Sequence, residues 1–170
     1  MWRKLGIPCG LLLVLVAAGW SVLENERILT GGQVVRLALA PVDPRSLMQG
    51  DYMALNYAVQ DRLRDSRPFA DGFVVVQVDA RGVGTFVRTQ PQAVPLSPGE
   101  VALRYRVRHD SRRSIRNGLR FATNAFFFEE GSGPRYAQAK YGEFRVGANG
   151  EPRLVALLDG ELARLGENRY

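Results

Sequence analysis

Cysteine, histidine and lysine are nearly missing from this chain of 170 residues, which has one Cys, one His and only Lys4 and Lys140 as lysines. One cysteine excludes a disulfide framework, and one Cys with one His excludes a zinc centre built from those ligands. No metal or other cofactor is called for. The lone His109 has Asp110 and Ser111 as immediate neighbours, but working triads are assembled from separated segments. Residues 109–111 read instead as a polar loop at the end of a strand. A phosphate-cradling loop is also missing, because Gly131-Ser132-Gly133 is not followed by Lys or Thr in the required place. No repeat or low-complexity linker divides the chain, and its length suits one domain. A charged fraction of 24% with 9% aromatics argues against disorder.

What is abundant is unevenly placed. After Met1-Trp2-Arg3-Lys4, residues 5–23 carry no charge. Nineteen residues at ~1.5 Å rise reach roughly 28 Å, close to the hydrocarbon thickness of a bilayer. A retained membrane anchor, a cleaved signal peptide and a buried core helix compete for this stretch. The core helix is the weakest reading, since the run is apolar on every face and follows a basic start. Val16-Ala17-Ala18-Gly19 offers a poor cleavage site, and the apolar run continues beyond it through Trp20, Val22 and Leu23. Trp2 and Trp20 stand near the two ends, where indoles favour the interface. Cys9 lies at the start of the run, whereas a lipid-modified cysteine belongs at its end; it reads as a small apolar side chain. Arg3 and Lys4 favour a cytoplasmic N-terminus. The expectation is a cytoplasmic tip at 1–4, a transmembrane anchor at 5–23 and an exported, periplasmic domain at 24–170. Arg3 and Lys4 also carry two of the six net positive charges, leaving 21 cations facing 17 acids.

The remainder alternates like β structure. Residues 33–40 read as a strand, and Asp43-Pro44 as the start of a short helical turn. In residues 51–59, Met53, Leu55, Tyr57 and Val59 fall on one face as core, with Tyr52, Ala54, Asn56 and Ala58 opposite. Residues 73–78 and 83–87 read as strands joined by the turn Asp79-Ala80-Arg81-Gly82. Residues 90–99, with three prolines, read as a loop. Val101, Leu103, Tyr105 and Val107 alternate with Ala102, Arg104, Arg106 and Arg108. Residues 119–128 suggest one strand, 133–141 a short helix, and 144–146 with 154–158 a hairpin turned at Ala148-Asn149-Gly150. Residues 159–165 suggest a closing capped helix. The fold class is mainly β (α+β): an N-terminal transmembrane helix, then one small β-barrel or β-sandwich-like domain with short helices.

One segment carries a resemblance. Gly50-Asp51-Tyr52-Met53-Ala54-Leu55-Asn56-Tyr57 matches G-D-Y-x-x-L-x-Y, and Pro41-Val42-Asp43-Pro44 precedes it. Glu130-Gly131, Tyr136, Ala139, Tyr141, Gly142 and Glu143 follow. On these residues the chain resembles the GDYXXLXY protein family. The resemblance implies a bacterial membrane-anchored protein of the inner membrane, often encoded near multi-spanning membrane proteins.

The signature has an architectural account: Gly50 permits a bend, Asp51 satisfies turn N–H groups, and Leu55 and Tyr57 supply core. A functional account makes Asp51, Tyr52 and Asn56 part of a binding surface. Arg104, Arg106 and Arg108 share a strand face, with Arg112, Arg113, Arg116 and Arg120 close behind. Guanidinium forks suit phosphate or carboxylate groups. A solvated face with local ion pairs, a contact with anionic headgroups or envelope polymer, and a protein-docking surface all remain open for this cluster. Nucleic acid is disfavoured by an exported location. The reading that results is a single-span protein whose periplasmic domain binds or supports another envelope component, multi-spanning membrane proteins being one such class. The rival is an envelope hydrolase using Asp51, Glu129 or Glu130. Glu129 and Glu130 are strand neighbours that point to opposite faces, which does not suit a shared proton. A loose likeness to type I signal peptidases lacks the Ser–Lys pair, since Val42 stands about where the nucleophile belongs and Ser46 lies in the helical turn.

Overall fold

A computed structural model describes residues 2–40, 48–49, 52–66, 68, 70–107, 119–123, 125–129 and 131–167. The chain opens with one helix, α1 (Trp2–Gly31), whose side chains are described from Gly10 onward. It does not stop where the apolar run stops. Eight further residues carry it into the domain, where Ile28 is buried. Gly32 N–H donates to the Ile28 carbonyl at 2.9 Å, closing the last turn. The Arg145 guanidinium donates to the Gly32 carbonyl at 3.0 Å, placing a cation at the negative end of the helix dipole. Among the described residues, no helix is long and apolar enough to cross a membrane. The described apolar stretch, 10–23, covers roughly 21 Å at ~1.5 Å per residue. The expected span over 5–23 also draws on side chains 5–9, which lie outside the described residues.

The rest is mainly β, arranged in several sheets with short helices. One sheet has the order β1 (Gln33–Ala38), β9 (Tyr141–Val146), β10 (Pro152–Leu158), β11 (Arg164–Glu167). A second has the order β5 (Gly84–Gln90), β4 (Gly72–Val78), β6 (Glu100–Val107), β7 (Leu119–Phe121). A small third sheet joins β2 (Met48–Gln49), β3 (Tyr52–Ala54) and β8 (Ala125–Phe127). Paired strands within each sheet are antiparallel, and a parallel bridge from Arg36 to Val83 links the first two sheets. One contiguous core lies between them, with Val35, Leu37, Tyr57, Leu103, Phe121, Phe126, Phe144 and Leu157 almost fully enclosed.

Several expected elements stand as read. Strands 73–78 and 83–87 are β4 and β5, and Asp79 turns them: its Oδ1 accepts from Arg81 N–H and Val83 N–H at 2.8 Å each. Gly82 takes φ +78° in that turn, a conformation that costs a residue with a Cβ about 1–2 kcal/mol. The hairpin at 147–151 forms, with Pro152 paired to Val146. The helix expected over 133–141 is cut short: α3 (Gly133–Tyr136) has Pro134 in its first turn but ends at Tyr136, and Tyr141 opens β9. The helical turn at Asp43-Pro44 lies outside the described residues.

Three further expectations are corrected. Residues 51–59 are not one strand: β3 ends at Ala54, and α2 (Ala58–Asp65) begins after Tyr57. Tyr57 N–H donates to Gln60 Oε1 at 3.0 Å, capping the new helix. Val59 and Leu63, one turn apart, face the core. Residues 119–128 are two strands in different sheets, because Ala122 adopts φ +51° and breaks the run. The closing helix at 159–165 is instead a turn into β11. Asp159 Oδ1 accepts from Glu161 N–H and Ala163 N–H at 2.9 Å each, repeating the Asp79 turn, with Leu162 at φ +68°.

Candidate functional site

The signature segment contributes both to the core and to the surface. Leu55 and Tyr57 are buried, as are Met53 and Val59. Tyr57 knits three parts of the chain: it bridges Leu39 of the first-sheet segment, its hydroxyl donates to the Thr123 carbonyl at 2.9 Å, and its ring meets Phe121 and Phe144 edge-on at 6.2 and 5.3 Å. Gly142 makes this packing fit. A Cβ there would sit 3.1–3.2 Å from Leu154, Phe144 and Tyr57.

The other tyrosine of the signature faces outward. Tyr52 pairs with Phe127 across β3 and β8, ring centroids 5.9 Å apart, and Phe127 is 66% exposed. Its neighbour Phe126 turns inward against Tyr136 at 5.0 Å, which fixes the register that leaves Phe127 outside. Asn56 follows the end of β3, and its carbonyl accepts from Ala40 N–H at 2.8 Å. Asn56 lies before α2, and along 52–57 it shares with Tyr52 and Ala54 the half-buried positions that alternate with buried Met53, Leu55 and Tyr57. Gly50 and Asp51 lie outside the described residues.

The arginines belong to a different sheet. Arg104 is half-buried and Arg106 exposed on β6, opposite Arg120 on β7. Arg106 reaches Glu151 at 3.8 Å, a long surface pair that contributes little. Arg108, Arg112, Arg113 and Arg116 fall outside the described residues. Of the candidate acids, Glu129 is exposed, while Asp51 and Glu130 are not described. Among the described residues no cluster of three or more His, Cys, Asp and Glu could hold a metal ion.

Sequence reasoning missed the most buried charge. Glu143 on β9 is enclosed, and its two oxygens accept from Arg36 Nε at 3.0 Å and Arg164 Nη2 at 2.7 Å. Burial raises the pKa of this carboxyl; hydrogen bonds and charge from Arg164 and Arg36 outweigh it and hold the group below its ordinary value. Arg36 also donates to the Arg81 carbonyl in the β4–β5 turn, so the cluster ties β1, β9 and β11 to the second sheet. Glu143 follows the family signature in the sequence, but its partners are distant along the chain and carry no local signal.

A family model described as GDYXXLXY protein matches residues 14–157. The chain belongs to this family. The matched stretch begins inside α1 and runs to the penultimate residue of β10, so the helix entering the domain is part of what the family shares. Neither a curated protein nor a solved structure matches the chain.

Proposed function

We propose that this GDYXXLXY protein is a single-pass protein of the bacterial inner membrane, with a cytoplasmic N-terminal end and a periplasmic β domain. In this reading the domain binds or supports another membrane or envelope component, with multi-spanning membrane proteins as the partner class. One observation carries the reading. Leu11, Leu12, Leu13, Val14, Leu15, Val16, Trp20, Val22 and Leu23 are each 59–70% exposed on α1, touching little else of the chain. Leaving nine such side chains in water forgoes on the order of 10–25 kcal/mol of burial, as large as or larger than the whole stability of a typical domain. A bilayer removes that penalty, with residues 5–9 extending the apolar run to the length of a span.

The surface proposed for the partner centres on the outward aromatic pair Tyr52–Phe127; Asp51 and Asn56 are the polar candidates of the same sequence segment, and Arg104, Arg106 and Arg108 are the candidates of a separate basic segment that begins on β6. Exposed aromatics are among the side chains enriched at interface centres. A photocrosslinker at Phe127 in intact membranes tests it, with Thr85, exposed on β5, as the control position. The reading expects a discrete adduct with a membrane protein from position 127 that is missing from position 85. Equal adducts from both positions, or none, would overturn the assignment of this face.

A further inference from the structure

The first part of the domain to meet the membrane need not be α1 alone. Residues 91–99 form a loop without a single charge in a chain that is 24% charged. The charges at its base neutralise each other: Arg88 forms a two-pronged pair with Glu100 at 2.6 and 2.9 Å. Glu100 also accepts from Ser97 N–H at 2.8 Å, and the Gln90 side chain donates to the Gln92 and Pro95 carbonyls. A loop held this way, with three prolines, presents Val94 at 66% and Leu96 at 38% exposure.

Its position matters as much as its composition. Val94 and Leu96 line a groove of about 620 Å³ together with Glu24, Arg27 and Ile28 of α1. Glu24 immediately follows Leu23, the last residue of the exposed apolar run, and lies one turn beyond Trp20. At ~1.5 Å per residue the helix wall of the groove starts within a few ångströms of the end of that run. The apolar tip of the loop therefore stands beside the point where α1 leaves its apolar environment.

We infer that Val94 and Leu96 seat in the interface of the same membrane leaflet from which α1 emerges, so that the domain docks against the bilayer with lipid covering the groove. This rests on the anchored reading of α1. The groove is lined mainly by apolar surface and its α1 residues begin directly after Leu23, which selects lipid as the occupant, and Arg27 at the groove suits the phosphate level of the headgroups.

Single-tryptophan reporters in the full chain, reconstituted in lipid nanodiscs with and without brominated acyl chains, test the inference. Trp2→Phe leaves Trp20 as reporter of the anchor. Trp2→Phe/Trp20→Phe with Val94→Trp, and separately with Leu96→Trp, reports the loop. The same background with Thr85→Trp reports the far end of β5. The inference expects brominated lipid to quench Trp20 and both loop reporters, with loop emission shifted to the blue, and to leave the Thr85→Trp reporter unchanged. Quenching of Trp20 with neither loop reporter affected would overturn loop docking and leave the anchor standing. Equal quenching at the loop and Thr85→Trp positions would overturn the specific contact. An unquenched Trp20 would remove the anchor and this inference together.

Discussion

Replacing Glu143 with glutamine keeps the side chain's shape and removes its charge, leaving two arginines facing a neutral amide. Arg36 and Arg164 retain 27% and 49% side-chain exposure, against 3% for Glu143. Removing one member of a fully buried pair costs about 3–5 kcal/mol. The water still reaching both arginines lowers the expected cost to about 2 kcal/mol. In a chain of this size that corresponds to a fall in Tm of roughly 4–8 °C, read by circular dichroism of the full chain in detergent micelles. The pH dependence has a defined sign. Glu143 is held below its ordinary value of 4.5, so its contribution is fully present above that pH and is lost as pH falls through the lowered value. The gap between wild type and Glu143→Gln should stay constant from neutral pH to about 5 and narrow in more acidic buffer. An unchanged Tm at neutral pH would refute the view that this carboxylate ties β1, β9 and β11 of the first sheet together.

Other consequences follow from the same packing. Gly142→Ala forces a Cβ against Tyr57, Phe144 and Leu154 and should cost about 1–3 kcal/mol in denaturant unfolding, the range for an overfilled core. Tyr57→Phe removes the bond to the Thr123 carbonyl and should cost about 1 kcal/mol, whereas Tyr57→Ala should cost about 3–5 kcal/mol. At the proline-rich loop, the hydrogen bond and charge of Arg88, with the Ser97 N–H, lower the Glu100 pKa to about 2. Its stabilising contribution is therefore present above 4.5 and lost as pH falls towards 2. The Ser97 amide chemical shift should titrate with a midpoint near 2; a midpoint near 4.5, the ordinary value, would show that the loop base is not held by this pair.

The parts of the fold that could be read from the sequence are those where alternation and turn chemistry agree. Asp79 with Gly82 marks the β4–β5 turn, and Asn149-Gly150 marks β9–β10. Asp159 makes the same turn as Asp79, but its positive-φ position is occupied by Leu162 rather than glycine, so the residues resemble a helix cap. Val59 continues the two-residue alternation of Met53, Leu55 and Tyr57 in number only. Its burial comes from a helical face shared with Leu63, and Gln60 as a cap is the available clue. The break between β7 and β8 has no glycine or proline to announce it. At the candidate site, burial of Leu55 and Tyr57 followed from periodicity. The Tyr52–Phe127 pair and the Arg36–Glu143 pair, separated by 107 residues in the latter case, arise from long-range register that a local pattern does not encode.

The central claim is that α1 holds the domain to a membrane through its exposed apolar run. Alkaline carbonate extraction of membranes, followed by intact mass measurement of the chain in pellet and supernatant, tests it most directly. An uncut chain that stays with the membrane pellet is expected. A chain released to the supernatant, or one shortened by cleavage after the Val16–Gly19 region, would contradict it.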